Sequence, residues 1–478
     1  MASWGRTILN RLDLQVGQTK LVLDKTGVLL DERFVEFLTG DGVDFQIVHT
    51  SYELLISAQL NPALILSSFS EVPSHLEKKL DVIVWGYANL PIDIEQSAAA
   101  TLDVDQLISL MIQGEESHGG CLITRDNLAV ELQKSTAYFN KYLVKELSEK
   151  IHLQACSIED YNAIINLGRL WGEYIHLCFV VNEQPDEDLQ QMVDDATSQS
   201  VLAGKLRKSF YETESSLKSV DKIRGFLKGL GRESKIALVC FDGMGVAEWQ
   251  VLRRYLQACN FSFSEKFMLS LIPTMTKIAR SAIYYGDFRC VYSLKSPNEN
   301  KQFRDFFSDR KCEFYREGDI CSEDDLLGVD MVSVIYNFFD DIGHRTQLPQ
   351  GEMSKDLYFQ NVQNYLERSK VKDELILLKK LGYKTYFCSD HGCVAARGNG
   401  QKIDEYLIEE ASKRSTLISK TQLTEFFDVD HYEVPFVEDK VTLLAKGRTI
   451  FASKKVREIS HGGITLEELI VPFVEIIN

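Results

Sequence analysis

Five short stretches of the chain set carboxylates, imidazoles and hydroxyls where apolar strands end. Ile236–Gly245 (IALVCFDGMG) delivers Asp242 to a Gly-x-Gly turn. In Leu271–Gly286 (LIPTMTKIARSAIYYG), Pro273 breaks a strand, Thr274 and Thr276 follow, and a helical pattern begins near Lys277. Thr276 therefore falls at a helix N-terminus, where free N–H groups and the dipole favour an anion and a lowered hydroxyl pKa. In Asp340-Asp341-Ile342-Gly343-His344, the D-x-x-G-H spacing lets a carboxylate and an imidazole bend onto one ion, glycine permitting a turn. Ser389-Asp390-His391-Gly392 closes another apolar strand, so that Asp390 and His391 can both turn inward onto one metal. His461 stands before Gly462 and Gly463. Each stretch alone has an ordinary reading: Asp242 as a turn or cap residue, Thr274 or Thr276 as a helix cap, His461 as a bystander. Together they collect at the carboxyl ends of strands, where α/β sheets place their sites. Asp and His without thiolates suit zinc or manganese.

The elements that must position these residues are legible as apolar runs separated by helical patterns. In the first hundred residues, Lys20–Asp24, Val43–His49, Ala63–Ser67 and Asp81–Trp85 read as buried strands, with helices at Glu32–Leu38 and Tyr52–Ala58 between them. This predicts a small parallel α/β domain over 1–96. Asp24, at a strand end, is a ligand or, in preference, a plain turn residue. Residues 97–230 read as a mainly helical middle domain. In it Ser157–Asp160 resembles a capping box before Ile164, Leu167, Trp171 and Tyr174 at helical spacing. Its end, Gly204–Lys228, is locally basic, with Lys205, Arg207, Lys208, Lys218, Lys222, Arg224 and Lys228, which reads first as a solvated helix face and second as a nucleic-acid or partner surface. Residues 231–478 carry strong strands at Ile236–Phe241, Met268–Ile272, Asp330–Tyr336, Lys384–Cys388 and Glu468–Ile477. They predict a larger α/β sheet with helices on both faces.

The totals exclude several classes. A formal net charge of −17 argues against generic clinging to duplex DNA, which needs excess cations, though a local basic groove stays open. None of the ten cysteines forms a C-x-x-C pair, so reduced thiols are expected. No secretory h-region and no apolar run near the ~20 residues of a membrane span is present, so a cytoplasmic protein is expected.

The series Asp242, Thr276, Asp340/His344, Asp390/His391 and His461 resembles the alkaline phosphatase superfamily. Pro273–Thr276 with Arg280, and the ending HGGITLEELIVPFVEI, resemble its PglZ domain over roughly 234–478. KLVLDKTGVLLDERF is similar, less specifically, to the segment often found before a PglZ domain. The resemblance implies an alkaline-phosphatase-like sheet and two divalent metal ions, zinc in preference to manganese. Asp340, His344 and His461 would hold one ion; Asp242, Asp390, His391 and the Thr276 hydroxyl would hold the other. It implies Thr276, rather than Thr274, as nucleophile. Where superfamily phosphodiesterases carry an Asn three residues on, this chain has Ala279, and the neighbouring Arg280 is expected to hold the phosphate oxygen instead. The implied activity is a metal-dependent phosphodiesterase on nucleotides, oligonucleotides or nucleic acid, in bacterial anti-phage defence of the BREX kind and with other defence proteins as partners. The alternatives are a phosphomonoesterase of the same superfamily and a metal-bound scaffold in a defence complex.

Overall fold

A computed structural model describes residues 3–15, 17–69, 72–77, 79–116, 122–206, 217–294, 296–320, 322–349, 353–401, 403, 410–425, 429–434 and 437–477. The chain forms two compact units, Met1–Leu143 and Val144–Asn478.

In the first unit, β1 (Lys20–Asp24), β2 (Phe45–Val48), β3 (Leu64–Ser67) and β4 (Asp81–Trp85) form one parallel sheet in the order β2-β3-β1-β4. Strand β1 is buried along its whole length. Its Val22 packs with Trp4, Phe34 and Leu107 on one face, while Leu21 and Leu23 pack with Leu54 and Leu76 on the other. A strand covered on both faces needs an unbroken apolar run, which is why KLVLD is legible in the sequence. Asp24 accepts hydrogen bonds from the Thr26 and Leu29 N–H groups, at 2.8 Å each, and so holds the turn after β1.

The second unit is built on a six-stranded sheet. Its strands are β5 (Ile236–Phe241), β6 (Ser262–Leu269), β7 (Cys312–Arg316), β8 (Met331–Tyr336), β9 (Lys384–Ser389) and, after two strands of a smaller sheet, β10 (Val394–Gly398) and β11 (Arg457–Ser460), the closing strand β12 (Ile470–Ile477). The order is β6-β12-β9-β5-β8-β7. Strands β7, β8, β5 and β9 run parallel, and β12 runs antiparallel to both β9 and β6. The register sets Phe241 beside Tyr336 and Ser389, so β5, β8 and β9 end level. That levelness brings residues 242, 337 and 390 to one edge of the sheet.

Three local expectations are corrected. The strand expected at Met268–Ile272 is the longer β6, whose outer part alternates exposed Ser262, Ser264 and Lys266 with half-buried Phe263, Glu265 and Phe267. An edge strand with one wet face hides from a search for apolar runs. The helix α1 (Tyr161–Val181) starts from Asp160, whose side chain accepts from the Ala163 N–H, rather than from a Ser157 capping box. The strand expected from Glu468 begins at Ile470, after a short helical turn at Leu466–Leu469.

Helix α1 packs in the second unit through two glycines, one against strand β12 and one against the start of the helix that follows β5. A Cβ at Gly168 would come within 2.4 Å of Ile470 Cγ1, and one at Gly172 within 2.4 Å of Val246 Cβ. The helical stretch 97–230 thus feeds two cores: Leu107, Ile108 and Met111 lie in that of the first unit, Leu167 and Trp171 in that of the second. Of its basic residues, Arg207 and Lys208 lie outside the described residues. Among the described residues no helix is long and apolar enough to cross a membrane.

Candidate active site

The level strand ends assemble two clusters. Asp242 follows β5, and Asp390 and His391 follow β9; all three are buried, with ligand atoms within 4.8 Å of one another. The turn after β5 is fitted to the end of β9. Gly243, with φ 81°, donates its N–H to Asp390 Oδ1 at 3.2 Å, and the Met244 N–H donates to Ser389 Oγ at 3.0 Å. Asp340, His344 and His461 form the second cluster, also within 4.8 Å. Here the structure departs from the expected turn. Residues 338–345 are the helix α2 (Phe338–Arg345), so Asp340 and His344 meet because they stand one helical turn apart. Gly343 is helical too, and a Cβ there would meet Ile459 Cγ2 of β11 at 3.1 Å, so its smallness serves packing. The clusters share a wall, with the His391 and His461 rings stacked at 4.1 Å between centroids and 12° between planes.

Thr276 opens the helix α3 (Thr276–Tyr285), which precedes α2 in the chain. Its hydroxyl lies 2.8 Å from His391 Nε2 and 3.5 Å from Asp242 Oδ1. Thr274 differs. It is fully buried, its hydroxyl donates to the Gly463 carbonyl at 2.9 Å and accepts from the Gly462 N–H at 3.1 Å, and it braces the turn that carries His461. Arg280 lies one turn beyond Thr276 on the same helix face. Its Nη1 donates to Asp242 Oδ2 at 2.6 Å and its Nε to Glu299 Oε1 at 3.4 Å.

The donor set is suited to cations. His391 Nδ1 lies 3.1 Å from the Gly392 carbonyl and His461 Nδ1 lies 3.2 Å from the Thr274 carbonyl. Each carbonyl can only accept, so each Nδ1 donates to it, which leaves each Nε2 to face inward, where it could offer a lone pair to an ion. His391 Nε2 then faces Asp242 Oδ1 at 3.5 Å and Asp390 Oδ2 at 3.8 Å, and His461 Nε2 faces Asp340 Oδ1 at 3.4 Å. Acceptors turned towards acceptors in a buried place fit a metal ion between them. Asp390 Oδ2, buried and without a hydrogen-bond partner among the described residues, points the same way. Burial, and then the neighbouring Asp242 charge, pushes the Asp390 carboxyl well above the usual carboxylate range. Burial and the nearby His391 lower His461 to about 4. Burial works to raise Asp340, but the hydrogen bond from His344 and the charges of His461, His344 and His391 outweigh it, leaving it at about 2. Asp340's hydrogen bond in turn raises His344.

Two groups of supporting residues escaped the reading of the sequence. Glu299 holds the far side of Arg280, and no spacing links the two. Glu468 is fully buried and accepts from the Gly463 N–H, the Thr465 N–H and the Arg414 guanidinium, at 2.7 to 3.0 Å. It fixes the turn after His461. The T-x-x-E pattern at Thr465–Glu468 was a visible capping-box signal for half of this brace; its partner Arg414, 54 residues away, had none.

An α/β sheet with carboxylates and imidazoles gathered at its strand ends is the general arrangement of a metal-dependent hydrolase. The chain belongs to the family described as the BREX system PglZ alkaline phosphatase-like domain, which matches residues 222–476, more than half its length. By that membership it is a phosphoester hydrolase of the alkaline phosphatase superfamily, with a domain of a defence system. No curated protein matches the chain significantly. Among solved structures it is similar to murine ectonucleotide pyrophosphatase / phosphodiesterase 5, at 12% identity over 50% of this chain and 88% of that one, with a TM-score of 0.35. It is also similar to phosphonoacetate hydrolase from Sinorhizobium meliloti 1021 in complex with phosphonoformate, at 12% identity over 51% and 89%, with a TM-score of 0.31.

Proposed function

We propose that the chain is a metal-dependent phosphodiesterase acting on nucleotides, oligonucleotides or nucleic acid in a BREX-type defence system, with Thr276 as nucleophile. The observation that carries this reading is the place of the Thr276 hydroxyl: at a helix N-terminus and 2.8 Å from a buried imidazole of the first cluster. Asp242, Asp390 and His391 would hold one divalent ion and Asp340, His344 and His461 the other, zinc in preference to manganese. When bound, two such ions supply the positive charge that lowers the hydroxyl pKa and neutralises phosphate oxygens.

The chain's own residues do the rest. The N-terminal dipole of α3 favours negative charge at Thr276 Oγ1 and on the phosphate it attacks. A bond forms between Oγ1 and phosphorus while the ester bond to the leaving oxygen breaks on the opposite side. Water then cleaves the phosphothreonine ester and restores the hydroxyl. Arg280, facing the same way one turn on, exchanges its contact with Asp242 for a phosphate oxygen, the task a guanidinium suits. Thr274 does not compete, because its hydroxyl is already engaged on both sides.

The test pairs bis-aryl and mono-aryl phosphate esters, with added zinc or manganese and with chelator. Diester turnover that chelator abolishes, and that Thr276→Ala lowers on the order of 10³-fold or more with metal content retained, supports the reading. A fully active Thr276→Ala protein sinks the nucleophile. Two tightly held metals with no turnover of either ester would point to a scaffold.

A further inference from the structure

Between His391 and His461 the chain leaves the main sheet, and β10 and β11 pair antiparallel in a smaller one. Their register sets Arg397 directly opposite Arg457. Like charges in directly opposed positions destabilise a sheet pair. Among the described residues neither arginine has a carboxylate partner, and the buried Arg457 Nε has no hydrogen-bond partner. The adjacent Glu458 points to the other face and is taken by Lys413 at 2.6 Å. The turn at 452–455 folds back onto the end of β10, where the Gly400 N–H donates to the Ala452 carbonyl at 2.8 Å. It adds exposed Lys454 and Lys455. From Val441 to Arg457 there is no acidic residue, in a chain whose net charge is −17.

The strip adjoins the site. Ile459 lies on the same face of β11 as Arg457, two residues further on, and packs against Gly343 of the helix that carries Asp340 and His344. His461 follows at the end of the strand, about 13 Å from Arg457 along extended chain. A row of cations with no carboxylate partner among the described residues, reaching the open cluster, is complementary to a chain of phosphates.

We propose that Arg397, Arg457, Lys454 and Lys455 bind the sugar-phosphate backbone of a single-stranded nucleic acid and lead it into the site. The inference rests on the phosphodiesterase reading for what happens next, but the binding itself does not. A narrow strip of four cations suits one strand, since a duplex brings twice the charge against an acidic protein.

The probe is a fluorescein-labelled single-stranded oligonucleotide of roughly 12 nucleotides. Its binding to the full-length chain is followed by anisotropy across a salt series, in the Thr276→Ala background so that cleavage does not interfere. The background protein should bind with log Kd rising with log salt at a slope of about 3, from about 0.7 per neutralised phosphate. Lys454→Glu with Lys455→Glu should weaken binding at least about tenfold and roughly halve that slope. With Thr276 intact, the same double variant should turn over the bis-aryl ester within about twofold of wild type. Arg397→Glu should weaken binding and yet raise Tm by about 1 °C or more, because it replaces a like-charge pair with an attractive one. Unchanged binding in these variants, no salt-dependent binding in their absence, or duplex binding as tight as single strand overturns the proposal. If the oligonucleotide binds as described while the small diester is never cleaved, the strip stands and the catalytic reading falls. A cleaved diester with no oligonucleotide binding does the reverse.

Discussion

The two clusters hold the same ligand types by different means. Asp242, Asp390 and His391 hang from the level ends of adjacent strands, and their side chains are at most 7% exposed. Asp340, His344 and His461 come from a helical turn and a glycine turn, and the His344 side chain is 52% exposed. The sheet register, with the turn after β5 that is hydrogen-bonded to the end of β9, places the first set. The second depends on a separate brace, in which Glu468 and Thr274 fix the turn after His461. Burial also sets their energetics apart. In the first set an unneutralised carboxylate has nowhere to find water, so an ion would gain most by binding there. In the second, the exposed His344 is open to water, so a bound ion would leave more easily.

The largest effect expected from this contrast concerns metal content. Asp390→Asn should leave the protein with one ion instead of two and reduce diester turnover on the order of 10³-fold, measured by elemental analysis and rate. His344→Ala should cost far less activity, and excess metal should restore it. Equal losses, or a His344→Ala protein that no metal rescues, would break the distinction between a tight and an exchangeable site. Chelator should show it directly, with loss of metal in two phases and the open cluster emptying first.

An intermediate effect is expected from the brace. Thr274→Val removes both hydrogen bonds to the Gly462-Gly463 turn and should lower activity about 10- to 100-fold through weaker binding of the second ion, while Thr274→Ser restores it. Glu468→Gln should act in the same direction. A Thr274→Val protein with unchanged metal affinity would show that the turn holds itself.

How much of this was legible followed the same division. The strands β5 and β9 that end at Asp242 and Asp390, and β8 before the helix that carries Asp340, are buried along nearly their whole length, so their apolar runs stand out in the sequence. The acids and histidines at their ends fall in the two groups that the family resemblance implies, and the structure brings each group together. What was hidden depends on contacts distant in sequence or on surfaces with mixed character. Strand β6 alternates wet and dry residues. The D-x-x-G-H stretch reads as a turn because of its glycine, although the glycine is needed only for the close approach of Ile459. Arg414 and Glu299 look like ordinary surface charges until folding places them against Glu468 and Arg280.

The smallest expected effect separates the clusters by sign, in metal-free protein. Asp340 is held at about 2, below its ordinary value of 3.8, by His344 and its neighbours despite burial. The folded state therefore favours its ionised form. That contribution is fully present above pH 3.8 and is lost as pH falls through about 2. Asp390 is displaced the other way, by burial and by Asp242. Its folded state holds a proton that the unfolded chain has given up, so its contribution weakens as pH rises from 3.8 towards the raised value. At neutral pH with chelator, Asp340→Asn should lower Tm and Asp390→Asn should raise it, each by about 1–2 °C (~1 kcal/mol at an unfolding entropy of about 2.1 cal/mol/K per residue). Repeating the melts at pH 5 should shrink the Asp390→Asn gain and, because His344 is then more fully charged beside Asp340, leave the Asp340→Asn loss at least as large. A Tm change of the same sign in both variants would mean that burial does not divide the two sites, and that the strand ends tolerate charge as well as the helix does.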